Sequence, residues 1–244
     1  MTPLISCLCP DGAPLPLLKE AVLCFTRQTH TSRELLIGVG PDAWRASAIE
    51  RFVRSLAETG AGQAVVRVVS EVTVSGLAGH ARGDLACWWS ATASSHPERL
   101  AIQAAGLTAA SRRACVVTET LRCLPAIRGL YWLGRPTDQP PPWMAATLLA
   151  QTSIFGMCAD ALASGVWPAA DLGAALIPGG GLIVNFADNP REEPPLAPDC
   201  LAEADARPRL RPLGSALAEH RLPRPLLLRL RAADGGFAVL DPWS

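Results

Sequence analysis

The side chains able to do chemistry are scattered. Eight cysteines stand at 7, 9, 24, 87, 115, 123, 158 and 200. None forms the CxxC or Cys/His spacing of a zinc site, and most lie in apolar runs, where a reduced thiol behaves as a small hydrophobe. Ser6, His96 and Asp171 are hydrolase-type residues, but no GxSxG elbow presents a nucleophile. Gly179-Gly180-Gly181 lacks the following Lys-Ser or Lys-Thr of a phosphate loop and is expected to be a turn. Ser90-Ala91-Thr92-Ala93 offers hydroxyls only, and no carboxylate occurs between Asp84 and Glu98. Positive charge concentrates in residues 207–231, which hold seven arginines against one glutamate.

The elements that must position these residues follow from periodicity and punctuation. An apolar run at 4–9 stops at Pro10 and a turn-forming Asp-Gly-Ala-Pro, which predicts a buried strand. Leu17, Leu18, Ala21, Cys24, Phe25 and Gln28 recur at helical spacing. A second buried strand is expected at 35–39, a helix at 42–58 and a third strand at 64–69. Alternating strand and helix, with strands apolar throughout, predicts an α/β fold whose mostly parallel sheet is covered on both faces. A fourth strand at 84–89 leads to Ser95-His96-Pro97-Glu98, which reads as a capping box opening a helix to about 110. Strands are expected at 114–118, 129–133 and 145–150, and a weaker helix at 160–175. From Asp188 onward, nine of 57 residues are proline. Runs at 226–231 and 237–240 around Asp234-Gly235-Gly236 predict a hairpin.

Three segments resemble the family 2 glycosyltransferases, whose nucleotide-sugar-binding fold is GT-A. Residues 3–38 end in Gln28-Thr29-His30 and Arg33-Glu34-Leu35-Leu36-Ile37, similar to the family's turn and second strand. Residues 81–107 are similar to its Ala-Arg-Gly-Glu-Tyr strand and Pro-Glu-Arg-Leu helix. Residues 143–151 carry a weaker likeness. The resemblance implies a GT-A-like domain over 1–190, followed by a Pro/Arg-rich extension over 191–244. It also implies a donor cleft at Pro10, Asp11, Gly38, Gly40, Ser90 and Thr92. Asp171 is the nearest candidate for the general base.

The family's metal-binding aspartates correspond to Ser90-Ala91-Thr92-Ala93, so no metal ligand is assigned. Mg²⁺ or Mn²⁺ is expected only if acids arrive from elsewhere. After the second strand the family's acidic string is replaced by Gly38-Val39-Gly40-Pro41-Asp42, with Asp42 expected to cap the next helix. Trp88-Trp89, His30 and His96 are expected to be structural. The expectation is a catalytically degenerate glycosyltransferase-like binding or assembly module. The alternative is an active metal-independent enzyme using a nucleotide-sugar, with Arg112, Arg113, Arg122 and Arg128 available for its phosphates.

Composition narrows the partners. Charges balance, 22 against 22, which argues against nucleic acid as the main partner. The arginine-rich 207–231 leaves an acidic remainder and suits an acidic protein partner. No apolar run is long enough to span a bilayer. The first 16 residues lack a secretory pattern, so a cytoplasmic location is expected.

Overall fold

The computed structural model describes residues 2–10, 12–58, 65–117, 120–124, 129–133, 142–163, 174–177, 183–186, 210–212, 228–231 and 237–240. Strand and helix alternate through β1 (Ile5–Cys9), α1 (Leu15–Thr26), β2 (Arg33–Gly38), α2 (Ala43–Glu58), β3 (Val65–Val69), α3 (Val74–Ala78) and β4 (Leu85–Trp88). Then come β5 (Ala93–Ser95), α4 (Arg99–Ala109), β6 (Ala114–Val117), β7 (Thr120–Leu124) and β8 (Gly129–Leu133). A 3-10 helix (Pro142–Thr147) leads to β9 (Leu149–Gln151), α5 (Thr152–Ala163), β10 (Ala174–Ile177) and β11 (Ile183–Phe186). The last strands are β12 (Leu210–Pro212), β13 (Leu228–Arg231) and β14 (Phe237–Leu240).

Seven strands form the main sheet in the order β10-β6-β9-β4-β1-β2-β3. All its pairings are parallel except those of β9, which runs antiparallel between β4 and β6. Alternate residues of each central strand feed two cores. Cys7, Cys9, Leu35, Ile37 and Cys87 pack with α1, α2 and α4. Leu8, Leu36 and Ala86 pack with α3, α5 and the 3-10 helix. Apolar residues on both faces of the central strands are what a doubly covered sheet requires, and the expected α/β architecture is the observed one. A second sheet has the order β12-β8-β7-β11-β5, and β13 pairs antiparallel with β14 at the predicted hairpin.

The edge of the main sheet at the N-terminal ends of its parallel strands is tied by polar groups. Glu34 is only 2% exposed. It accepts from Ser6 Oγ at 2.7 Å, the Arg82 amide at 2.8 Å and Arg67 Nη1 at 3.1 Å. Burial alone would raise the pKa of Glu34, but these three donors outweigh it and lower it. Gly83 donates to Ser6 Oγ, and a Cβ there would lie 2.4 Å from the Leu4 carbonyl oxygen, so only glycine lets β4 approach β1 here.

Several local expectations need correcting. Residues 145–150 are not one strand: the 3-10 helix occupies the first three, and β9 begins at Leu149. The helix expected at 160–175 begins at Thr152 and is described to Ala163; 164–173 lie outside the described residues, and Ala174 and Ala175 belong to β10. Ser95-His96-Pro97-Glu98 makes no capping box. Ser95 belongs to β5, Glu98 makes no side-chain cap, and the Leu100 amide is taken by Gln28 Oε1 at 3.2 Å. Among the described residues no helix is long and apolar enough to cross a membrane.

Candidate functional site

Where parallel strands end together, loops converge on one edge of the sheet, and open α/β sheets bind ligands at that edge. Pro10 follows β1, Gly38 ends β2 with Gly40 two residues on, and Ser90 and Thr92 follow β4. Since β1 lies between β2 and β4, the fold brings these five residues to one edge. Asp11 and Asp171 lie outside the described residues.

The turn after β4 closes on itself. Ser90 Oγ and Thr92 Oγ1 are 3.0 Å apart, and the Thr92 amide donates to Ser90 Oγ at 3.2 Å. Ala91 and Ala93 are buried beside them. This donor set does not fit Mg²⁺ or Mn²⁺, which favour carboxylate and carbonyl oxygens with retained waters. Among the described residues no three His, Cys, Asp or Glu side chains converge to hold a metal. Asp84 lies at the opposite end of β4, where its carbonyl accepts the Thr152 amide. Asp42 caps α2 as expected, its Oδ1 accepting the Trp44 and Arg45 amides.

A recess of about 320 Å³ opens beside the ends of β2 and β3, lined by Val39, Gly40, Pro41, Ser70, Glu71 and Val72. Its floor is set by the sheet, because the amides of Val39 and Glu71 both donate to the Val69 carbonyl. Glu71 is the residue that sequence reasoning passed over. Its Oε1 accepts the Val72 and Thr73 amides and the Thr73 hydroxyl, and the two amides, foremost, lower its pKa. Thr73 Oγ1 in turn caps α3 through the Gly76 amide at 3.0 Å. Gly76 leaves room for this arrangement, since a Cβ there would overlap the Glu71 carboxyl group. Of the five described residues assigned to the cleft, Gly40 alone lines this recess.

The motifs that carried the family resemblance serve to brace the loops. Gln28 is 4% exposed, and its Nε2 donates to the His96 carbonyl at 2.7 Å while Oε1 caps α4. His30 Nε2 lies 3.0 Å from the Pro3 carbonyl oxygen. Arg33 donates to the carbonyls of Phe25, Thr26 and His30 at the end of α1. His96 Nδ1 accepts the Glu98 amide, and burial foremost lowers the imidazole pKa. Trp89 is a core residue, edge-on to Phe25 with its Nε1 donating to the Ala21 carbonyl.

No protein-family model and no curated protein matches the sequence. Among solved structures, residues 1–349 of S. aureus TarS are 12% identical, with 75% of this chain and 60% of that one covered and a TM-score of 0.47. The same TarS segment in complex with UDP-GlcNAc is 11% identical, with coverages of 76% and 59% and a TM-score of 0.49. The mannosyltransferase PcManGT from Pyrobaculum calidifontis, in complex with GDP-Man and Mn²⁺, is 15% identical, with coverages of 79% and 59% and a TM-score of 0.50. The chain thus spans about three fifths of the length of each of these. With the sheet order in hand, the likeness to the mannosyltransferase assigns the chain a GT-A-like α/β fold.

Proposed function

We propose that the chain is a glycosyltransferase-like protein without metal-dependent transfer chemistry, serving as a binding or assembly module. The observation that supports this reading is the turn after β4, closed by two hydroxyls between buried alanines. Sugar transfer from a nucleotide-sugar must stabilise a departing diphosphate. One unit charge pair near 4 Å, at an effective dielectric of about 20, contributes about 4 kcal/mol. Expressed in the transition state, that is about three powers of ten in rate. Neutral hydroxyls do not replace it. The recess beside Gly40 is large enough for recognition, since small-molecule sites begin at about 300 Å³. The arginine-rich 207–231 is the element proposed to dock an acidic protein partner, and a cytoplasmic location goes with this reading.

The open recess, with the Glu71 carboxylate among its lining residues, favours a second reading: metal-independent transfer from a nucleotide-sugar, of the kind bound by TarS and PcManGT. Arginines would then carry the electrostatic role of the metal. Calorimetric titration with UDP-GlcNAc and GDP-Man, each with Mn²⁺ and with EDTA, separates the two, together with an assay for released nucleotide. The first reading expects no saturable heat and no released nucleotide. Millimolar-or-tighter binding would refute the first reading, and turnover in EDTA would establish the second. Turnover that requires Mn²⁺ would refute both.

A further inference from the structure

A groove of about 420 Å³ runs between α1 and α2, lined from α1 by Leu15 and Lys19 and from α2 by Trp44, Ala48, Arg51 and Phe52. Trp44, Ala48 and Phe52 recur at intervals of four and so form one stripe along the helix. Trp44 is 70% exposed, more than any other large apolar side chain among the described residues. Lys19 Nζ sits 5.3 Å from the Phe52 ring centre. No carboxylate among the described residues lines the groove. A single exposed apolar residue is ordinary, but an indole standing beside an apolar groove flanked by cations has the composition of an interface anchor.

The stripe is its own complement. When two copies of α2 lie antiparallel across a two-fold axis at Ala48, residues whose numbers sum to 96 face each other. Trp44 of each copy then meets Phe52 of the other, next to the Lys19 ammonium, where an aromatic pair and a cation over the indole face are both favourable. The alanines on the axis allow the helices to approach to about 8 Å. Asp42, which caps α2, falls opposite Arg54 of the other copy, and symmetry makes that contact twice. Arg45 would face Arg51, but its guanidinium is drawn back by a 2.6 Å bond from Nη2 to the Ala13 carbonyl. An acidic peptide would answer Lys19 and Arg51 alone, whereas a second copy answers the indole, the groove and the charges together.

We propose that this face of α1 and α2 is a dimer interface, filled by the same face of a second copy of the chain around a two-fold axis at Ala48. The 16 residues of α2 span about 24 Å, so the contact belongs at the small end of specific interfaces. Its expected Kd is roughly 10–100 µM. Pro41, which lines the recess beside Gly40, directly precedes Asp42, so the interface borders the recess of each copy. The dimer does not depend on which reading of that recess holds.

Sedimentation velocity of the full chain from about 1 to 500 µM tests this across the expected range. A monomer–dimer equilibrium is expected, and Trp44→Ala, at an exposed position, should raise its Kd at least about thirtyfold. Mild oxidation of Ala48→Cys should give a disulfide joining position 48 to position 48, mapped by peptide mass spectrometry. Glu58→Cys should give no such link, because its two copies would stand about 30 Å apart along the helices. A chain that stays monomeric throughout overturns the proposal, whether the groove is then empty, filled by another segment of the chain or kept for a different protein. A dimer indifferent to Trp44→Ala, or one that yields no 48-to-48 disulfide, overturns it equally.

Discussion

Replacing Gln28 by methionine removes a polar bridge while keeping the volume of the side chain. Gln28 lies at the end of α1, and its two polar atoms hold the segment that opens α4. The His96 carbonyl loses a 2.7 Å donor but keeps the Arg99 amide at 3.0 Å, so that bond contributes about 1 kcal/mol to the loss. The Leu100 amide is worse placed. It is one of the first amides of a helix without a local cap, and stranding it in the core costs about 1–3 kcal/mol. The sum is about 3 kcal/mol, or roughly 6–12 °C in Tm for a chain of this size. Urea unfolding followed by far-ultraviolet circular dichroism measures it, and exchange of the Leu100 amide reports where it falls. A loss below about 1 kcal/mol, with Leu100 still protected, would refute the claim that the glutamine just past α1 caps α4.

Gly83→Ala should cost at least about 2 kcal/mol in the same urea assay, because its Cβ would meet backbone atoms of Leu4 and Ser6 that belong to the sheet; a curve matching the parent would show that β4 can retreat from β1. The lowered pKa of Glu34 means that its ionised form stabilises the fold above the unfolded value of about 4.3, a contribution lost as pH falls through the folded value. Glu34→Gln should therefore flatten the acid limb of stability against pH, and an unchanged acid limb would place the linkage elsewhere. Ser90→Asp combined with Thr92→Asp puts two carboxylates where hydroxyls now lie 3.0 Å apart. Mn²⁺ affinity should rise at least about tenfold, worth ~1.4 kcal/mol, by calorimetry; no rise would mean that the turn cannot present its side chains to a metal.

The N-terminal half was legible because its strands are apolar throughout and end at Pro10, Gly38 and Gly40. Chain order and burial pattern then leave little but a doubly covered sheet. The entrance to α4 was misread for a physical reason. Ser95 and Glu98 have capping-box spacing, but the cap comes from Gln28, 72 residues before Leu100, and local spacing carries no trace of so remote a partner. Glu71 was missed likewise: its place at the recess depends on the turn from Val69 and on the room left by Gly76. The hydroxyl turn at Ser90 and Thr92 was readable because it sits beside an apolar strand, and its internal bonding needs only two residues of separation.

The antiparallel strand β9 also sets a schedule. Until Leu149 is made, Leu85–Trp88 of β4 presents an open flank of backbone amides and carbonyls, and β6 has nothing to join. Roughly 60 residues separate the two strands, about 3–12 s of synthesis at about 5–20 residues per second. During that interval the nascent chain carries an apolar sheet edge able to recruit another copy. The strand that bridges the two parts of the sheet is thus also the one whose late arrival exposes the chain to misassembly on the ribosome.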